Sequence, residues 1–426
     1  MLKHISDTEI FKQKALQWAS SFDVFCYLDS NNSIDQYSNF DALIAVGVKT
    51  EIVTVAGTAF DQLEEFREAN PGWVTGFFGY DLKNETEHLT SANTDHLAFP
   101  DLYFFVPEHI IIIKGNEAEI IADNPQQVFE LIESKTSKID TTLPTVDVKS
   151  GFSRAEYLNA IAGIKEHINR GDIYVTNFCQ EFFAENAVID PLAIFLELNE
   201  VSPNPFSVFF KWRGNYILCA SPERFMAKRG NRLISQPIKG TAKRGKDEAE
   251  DEAIKQELRN HAKEQQENVM VVDLVRNDLT RSAKQGTVKT EELFGIYSFS
   301  QVHQMISTVV CEIDDNTSAV QAIKNAFPMG SMTGAPKISA MLLMEQYERS
   351  KRGVYSGAVG YFSPDGDFDF NVVIRSLLYN QTNKYLSFHA GSAITFHADA
   401  EKEYEECLLK VQAILAVLGQ PPIKID

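Results

Sequence analysis

Four glutamates in two matched pairs are the first residues of this chain whose spacing suggests chemistry. Glu264-x-x-Glu267 and Glu403-x-x-Glu406 each set two carboxylates three residues apart, which on a helix places them on one face. Like charges so placed repel by roughly a few tenths of a kcal/mol per pair unless a cation lies between them. An all-oxygen set of four suits a hard ion, and Mg²⁺ with retained waters fits best. The competing reading is an acidic solvated face, ordinary in a chain of formal charge −19. A candidate nucleophile stands in P-I-K-G-T-A-K-R-G (237–245). Lys239 is expected where a strand gives way to a turn, because Pro237 fixes φ and Gly240 permits conformations closed to other residues. Lys243, Arg244 and Lys246 follow closely, and like-charge neighbours or burial leave more free amine on a lysine. A solvated basic loop is the plainer alternative.

Two small-residue stretches offer backbone to a ligand. G-S-M-T-G-A-P-K (330–337) resembles a phosphate loop only superficially, since it lacks the closing G-K-[S/T] and Pro336 removes a donor. The helix expected over 338–348 could still turn its N-terminus to an anion. A-G-S-A (390–393) is expected at a strand end, where a ligand carboxylate can approach the main chain. Tyr361 and Arg375 fall in apolar runs read as strands over 358–362 and 372–379. A buried guanidinium there needs an anionic partner, from the protein or a ligand. His303 is either an acid or a hydrogen-bonded histidine.

The elements that must position these residues are mixed. The chain has 426 residues, 44% hydrophobic and 23% charged, enough for a large core and more than one lobe. Its negative charge opposes a general nucleic-acid or anionic-membrane surface, but not a small anion held by local bases. Cys26, Cys179, Cys219, Cys311 and Cys407 form no C-x-x-C pair, which suits a reducing cytoplasm and no thiolate zinc site. The first twenty residues show no signal-peptide pattern, and the longest aliphatic run, 110–113, is far too short to span a bilayer. Residues 1–140 read as an N-terminal α+β region with strands over 24–28, 42–48, 73–80, 103–106, 110–114 and 117–121 and helices over 9–20, 63–68 and 126–137. A boundary is expected over 138–150, and 150–426 as the larger domain. Ser153 and Glu156 form a capping box for a helix ending at Gly171. A hairpin follows over 206–220, then one charged helix over 247–277, a strand over 298–312 and a closing helix over 400–418. Strands joined largely by hairpins favour an α+β class over a doubly wound parallel sheet.

Taken together, S-P-E-R-F (221–225), Q-P-I-K-G-T (236–241), E-N-V-M-V-V-D-L-V-R-N-D-L (267–279), G-S-M-T-G-A-P-K (330–337), G-A-V-G-Y-F (357–362), V-I-R-S (373–376) and E-Y-E-E-C (403–407) resemble the chorismate-utilising enzymes. The resemblance covers about 150–420, with a weaker likeness before it. It implies a large two-lobed β-sandwich of mostly antiparallel sheets wrapped by helices, with one Mg²⁺ in its cleft. P-I-K-G-T resembles the branch that aminates chorismate at C4 to 4-amino-4-deoxychorismate for folate synthesis; anthranilate synthases carry Ala in place of that Lys. Isochorismate and salicylate synthases use a Lys on an earlier strand, where this chain has Val175. The L-L-E-S signature of tryptophan feedback is absent. By the same resemblance, Lys239 attacks the ring, Glu223 protonates the leaving hydroxyl and His303 lies near it. Glu264, Glu267, Glu403 and Glu406 hold Mg²⁺. Tyr361, Arg375, Lys410 and the backbone at Gly391, Ser392 and Ala393 hold the carboxylates, with Thr241 and Thr333 lining the site. No G-x-C-x-G elbow is present, so ammonia is expected from solution or a separate glutaminase subunit. Anthranilate synthesis and a non-catalytic acidic binding subunit are the alternatives.

Overall fold

The computed structural model describes residues 1–137, 144–299 and 301–421. Two antiparallel sheets dominate it. The larger, of 12 strands, passes from Leu2–His4 through Glu117–Ile121, His109–Lys114, Ala42–Val46 and Val24–Asp29 into Phe206–Trp212, Asn215–Ser221, Ser376–Asn380, Tyr385–Thr395 and Val175–Ala184. The second, of 10 strands, runs from Ile238–Lys243 through Val302–Glu312, Arg232–Gln236, Arg224–Arg229, Phe368–Asn371 and Ala358–Phe362 to Val74–Phe78, Leu102–Val106 and Thr50–Thr54. Both sheets therefore draw strands from the first 121 residues and from the remainder. The 1–140 region is interleaved with the rest, and the 138–150 link does not divide one sheet from the other; its first six residues lie outside those described.

Aromatic residues fill the space between the sheets. Phe77, Phe78, Phe104, Phe210 and Phe370 are fully buried in one cluster, each worth about 1.5–3 kcal/mol in removal from water. A second cluster lies on the outer face of the larger sheet, under the helices Thr8–Ala19, Pro125–Glu133, Pro191–Val201 and Ala400–Val417. The expected capping box is present: Ser153 and Glu156 start the helix Arg154–Arg170, and Gly171 ends it at φ +84°.

Three sequence expectations need correction. The helix over 247–277 is two helices, Glu248–Asn260 and Ala262–Thr280, because His261 leaves helical geometry and its imidazole accepts the Glu264 N–H. The strand over 298–312 starts only at Val302 and runs to Glu312, and it pairs antiparallel with a strand not expected from the sequence, Lys289–Ser298. The strand over 372–379 starts only at Ser376, since Arg375 sits at φ +53° in the connection before it.

Candidate active site

A cleft of about 320 Å³, counting space open to solvent, lies between the helix Ala262–Thr280, the edge strand Ile238–Lys243 and the strands Val175–Ala184 and Tyr385–Thr395. Lys239, Glu267, Ser331, Thr333, Ala393, Val175 and Asn177 all line it. Lys239 lies within its strand rather than at the strand's end, at a slip in register between Ile238 and Thr241. Gly240 takes φ +96° there, and a Cβ on it would come 3.2 Å from both the Glu264 carboxylate and Met305. Glycine thus permits the bend that turns Lys239 into the cleft. Of the cations expected around Lys239, Arg244 is directed elsewhere and binds Asp251, with Nη2 at 2.7 Å. The charged neighbours that feel Lys239 are carboxylates, Glu223 and Glu406.

Glu223 is buried. Burial pushes its carboxyl up to about 7, and the Ser331 hydroxyl, Lys239 and the Ile238 N–H offset part of that rise. The Ser331 hydroxyl faces it without closing a well-formed hydrogen bond. Thr333 points its hydroxyl at the Met329 and Gly330 carbonyls, at 3.4 and 3.3 Å.

The paired glutamates face one another across the helices Ala262–Thr280 and Ala400–Val417. Burial, then Glu267 and Glu406, raise Glu264; burial, then Glu406, raise Glu403, with the Ser392 hydroxyl and Lys263 opposing. Lys263 Nζ lies 3.6 Å from Glu267 and 3.7 Å from Glu403, bridging the helices. Burial alone would raise Glu406, but Lys410, 2.6 Å away, brings it below its ordinary value. Among the described residues no three His, Cys, Asp or Glu side chains form a preassembled metal cluster. The donor set nonetheless fits a hard cation: four carboxylates crowd together, and a lysine lies between two of them.

Lys410 also donates to the Gly391 carbonyl at 2.8 Å, and the Lys410 carbonyl accepts from Arg375 Nη1 at 3.4 Å. Burial lowers the Arg375 pKa, while Tyr355 and Glu406 oppose the fall. Gly391 is required by close approach, since a Cβ would meet the Phe178 carbonyl oxygen at 2.4 Å. Ser392 is buried, its hydroxyl 3.5 Å from Tyr157.

Three predicted residues lie outside this arrangement. Tyr361 packs on Phe40 and Trp73, with centroids at 5.0 and 5.5 Å, and lines a separate cavity of about 460 Å³, again counting space open to solvent. Thr241 is exposed. His303 is fully buried, with Nδ1 2.9 Å from Ser298 Oγ and Nε2 2.9 Å from Asp251, so both nitrogens are taken. Through Asp251 it links the helix Glu248–Asn260 to the sheet. Sequence reasoning missed Tyr355, the phenol beside Arg375, because its spacing does not distinguish it from Tyr361. It also missed Arg352, which is fully buried and pairs with Glu348 at 2.6 Å. Arg352 further donates to the carbonyls of Met332 (2.8 Å) and Asn177 (2.9 Å), joining two walls of the cleft.

The family model of chorismate binding enzymes matches residues 15–416. The chain belongs to the chorismate-binding enzyme family. This chorismate-binding enzyme is 34% identical over 352 residues to aminodeoxychorismate synthase component 1 of Escherichia coli (strain K12), covering 82% of this chain and 77% of that one. It is also 34% identical to aminodeoxychorismate synthase, chloroplastic, of Arabidopsis thaliana, over 80% of this chain but only 40% of the plant protein's length. The solved anthranilate synthase component I from Streptococcus pneumoniae TIGR4 superposes with a TM-score of 0.78 at 25% identity, over 89% of this chain and 95% of that one. The chorismate-utilising fold expected from the sequence is the fold observed. No helix among the described residues is long and apolar enough to cross a membrane.

Proposed function

We propose that this chorismate-binding enzyme aminates chorismate at C4 to give 4-amino-4-deoxychorismate, through a covalent adduct on Lys239. The observation that carries this reading is the place of Lys239. Its amine is in the cleft, close enough to influence Glu223 and Glu406, and it closes no salt bridge among the described residues. The likeness to aminodeoxychorismate synthase component 1 supports it.

Arg375, Tyr355 and Lys410 hold the substrate carboxylates beside the Gly391 backbone. The Lys239 amine forms a bond to C2, the ring electron pairs shift, and the C4–O bond breaks as Glu223 delivers its proton, releasing water. Ammonia then forms the C4–N bond, and the C2–N bond to Lys239 breaks in return. One displacement becomes two easier ones, and the lysine is restored. Glu264, Glu267, Glu403 and Glu406 would hold Mg²⁺, and such an ion would supply the positive charge that stabilises a carboxylate-bearing ring as its electrons shift. The proposed product is the precursor from which loss of pyruvate, in a separate elimination, gives para-aminobenzoate for folate synthesis in the cytoplasm, with ammonia from solution or a separate glutaminase subunit.

Intact-mass measurement during turnover tests the adduct. Wild type with chorismate and Mg²⁺ is expected to gain the mass of dehydrated chorismate, and Lys239→Ala to gain none. A fluorescent anthranilate product would overturn the assignment in favour of C2 amination, the activity named for the Streptococcus pneumoniae protein.

A further inference from the structure

A second, narrow cavity, of about 310 Å³ counting space open to solvent, lies behind the short helix Gly330–Met332 and shares only Gly330 and Ser331 with the cleft. We propose that it is a chamber that receives ammonium and passes ammonia to the cleft, an inference that rests on the amination chemistry above.

The lining sorts ligands by size and charge. Phe225, Met226, Val275 and Leu279 make much of the wall apolar, which opposes a dianion the size of chorismate. Of the charged groups present, Arg224 is fully engaged by Asp35, Asp369 and Gln236. Asp278 is neutralised by Lys337, whose Nζ lies 3.1 Å from both carboxylate oxygens and 3.0 Å from the Ala326 carbonyl. Among the described residues, Glu223 is left as the one lining carboxyl without a salt bridge. Beside it the Ser331 hydroxyl is buried and faces the carboxyl without closing a well-formed hydrogen bond among the described residues. Once Glu223 has given up its proton, its carboxylate and the Ser331 hydroxyl oxygen in this narrow, largely apolar cavity match ammonium, a small cation with four donors.

The proton count closes over one turnover. Glu223 becomes a carboxylate when it protonates the departing C4 hydroxyl. Ammonium in the chamber then gives one proton to Glu223, which restores the acid and leaves ammonia with a free electron pair. Ammonia passes the Ser331 edge and bonds to C4 while the C2–N bond to Lys239 breaks. The sum is chorismate plus ammonium giving the ammonium form of the product plus water, with no other proton donor or acceptor.

The test fills the chamber from residues that do not touch the cleft. Ala326→Leu and Val275→Ile both line the chamber alone, and the second adds a single methylene should the first fail to fold. Rates are measured with ammonium chloride varied at saturating chorismate, then the reverse. The KM for ammonium is expected to rise about tenfold while the KM for chorismate stays within about twofold. A folded variant with an unchanged KM for ammonium, or an equal rise in both constants, overturns the chamber alone. A wild type that does not aminate chorismate overturns the chamber and the proposed function together.

Discussion

Replacing Glu223 by Gln separates the cost of burying this acid from its use. The carboxyl is pushed from 4.5 up to about 7 by burial, so the folded state binds the proton more tightly than the unfolded chain does. The sign follows: no penalty below about pH 4.5, a growing one as pH rises to about 7, and a constant one above. At about 1.36 kcal/mol per tenfold change in proton affinity, the full penalty is about 3 kcal/mol. Glu223→Gln cannot ionise, so it should match wild type near pH 4 and exceed it by about 3 kcal/mol at pH 8.5. Urea unfolding of both proteins at the two pH values reads this directly. Wild-type turnover should fall as pH passes about 7, where the proton is lost, and the variant should lose turnover at every pH. A stability difference that does not change with pH would refute the reasoning, because it would mean Glu223 titrates alike in the folded and unfolded chain.

Arg352→Met strands Glu348 in the interior, so it should cost about 3–5 kcal/mol in chemical denaturation. Lys263→Met removes the cation between Glu267 and Glu403; calorimetric titration should show Mg²⁺ binding about tenfold tighter, allowing for the partial exposure of that lysine. Tyr355→Phe deletes the phenol beside Arg375 and should raise the KM for chorismate about fivefold, a loss of about 1 kcal/mol. Tyr361→Phe, in a different cavity, should leave that KM within about twofold. Steady-state rates on the pair decide between the two tyrosines.

What the sequence made legible was local. The Ser153–Glu156 capping box acts over three residues, and the hairpin of Phe206–Trp212 with Asn215–Ser221 over a short turn, so composition nearly specifies both. The glutamate pairs were visible for the same reason: helical spacing alone puts each pair on a face. What stayed hidden depends on distant pairing. Nothing near Tyr361 announces that it lies opposite Thr75, nor near His303 that Asp251 will fill its second nitrogen. The break at His261 was missed because the run of charge on both sides shows no change of periodicity. Arg375 looked like a strand residue because its neighbours are apolar, and only its φ of +53° betrays the connection.

The interleaving of early and late strands bears on how the molecule is made. Thr75 hydrogen-bonds the Gly360 carbonyl, 285 residues further on, and the strand Val74–Phe78 shares its register with Ala358–Phe362. At about 5–20 residues per second on the ribosome, the first aromatic strand waits roughly a quarter of a minute to a minute for its neighbour. Throughout that interval Phe77 and Phe78 lack much of their eventual cover, so nascent chains of this protein should depend on chaperones that shield greasy segments until the late strands emerge.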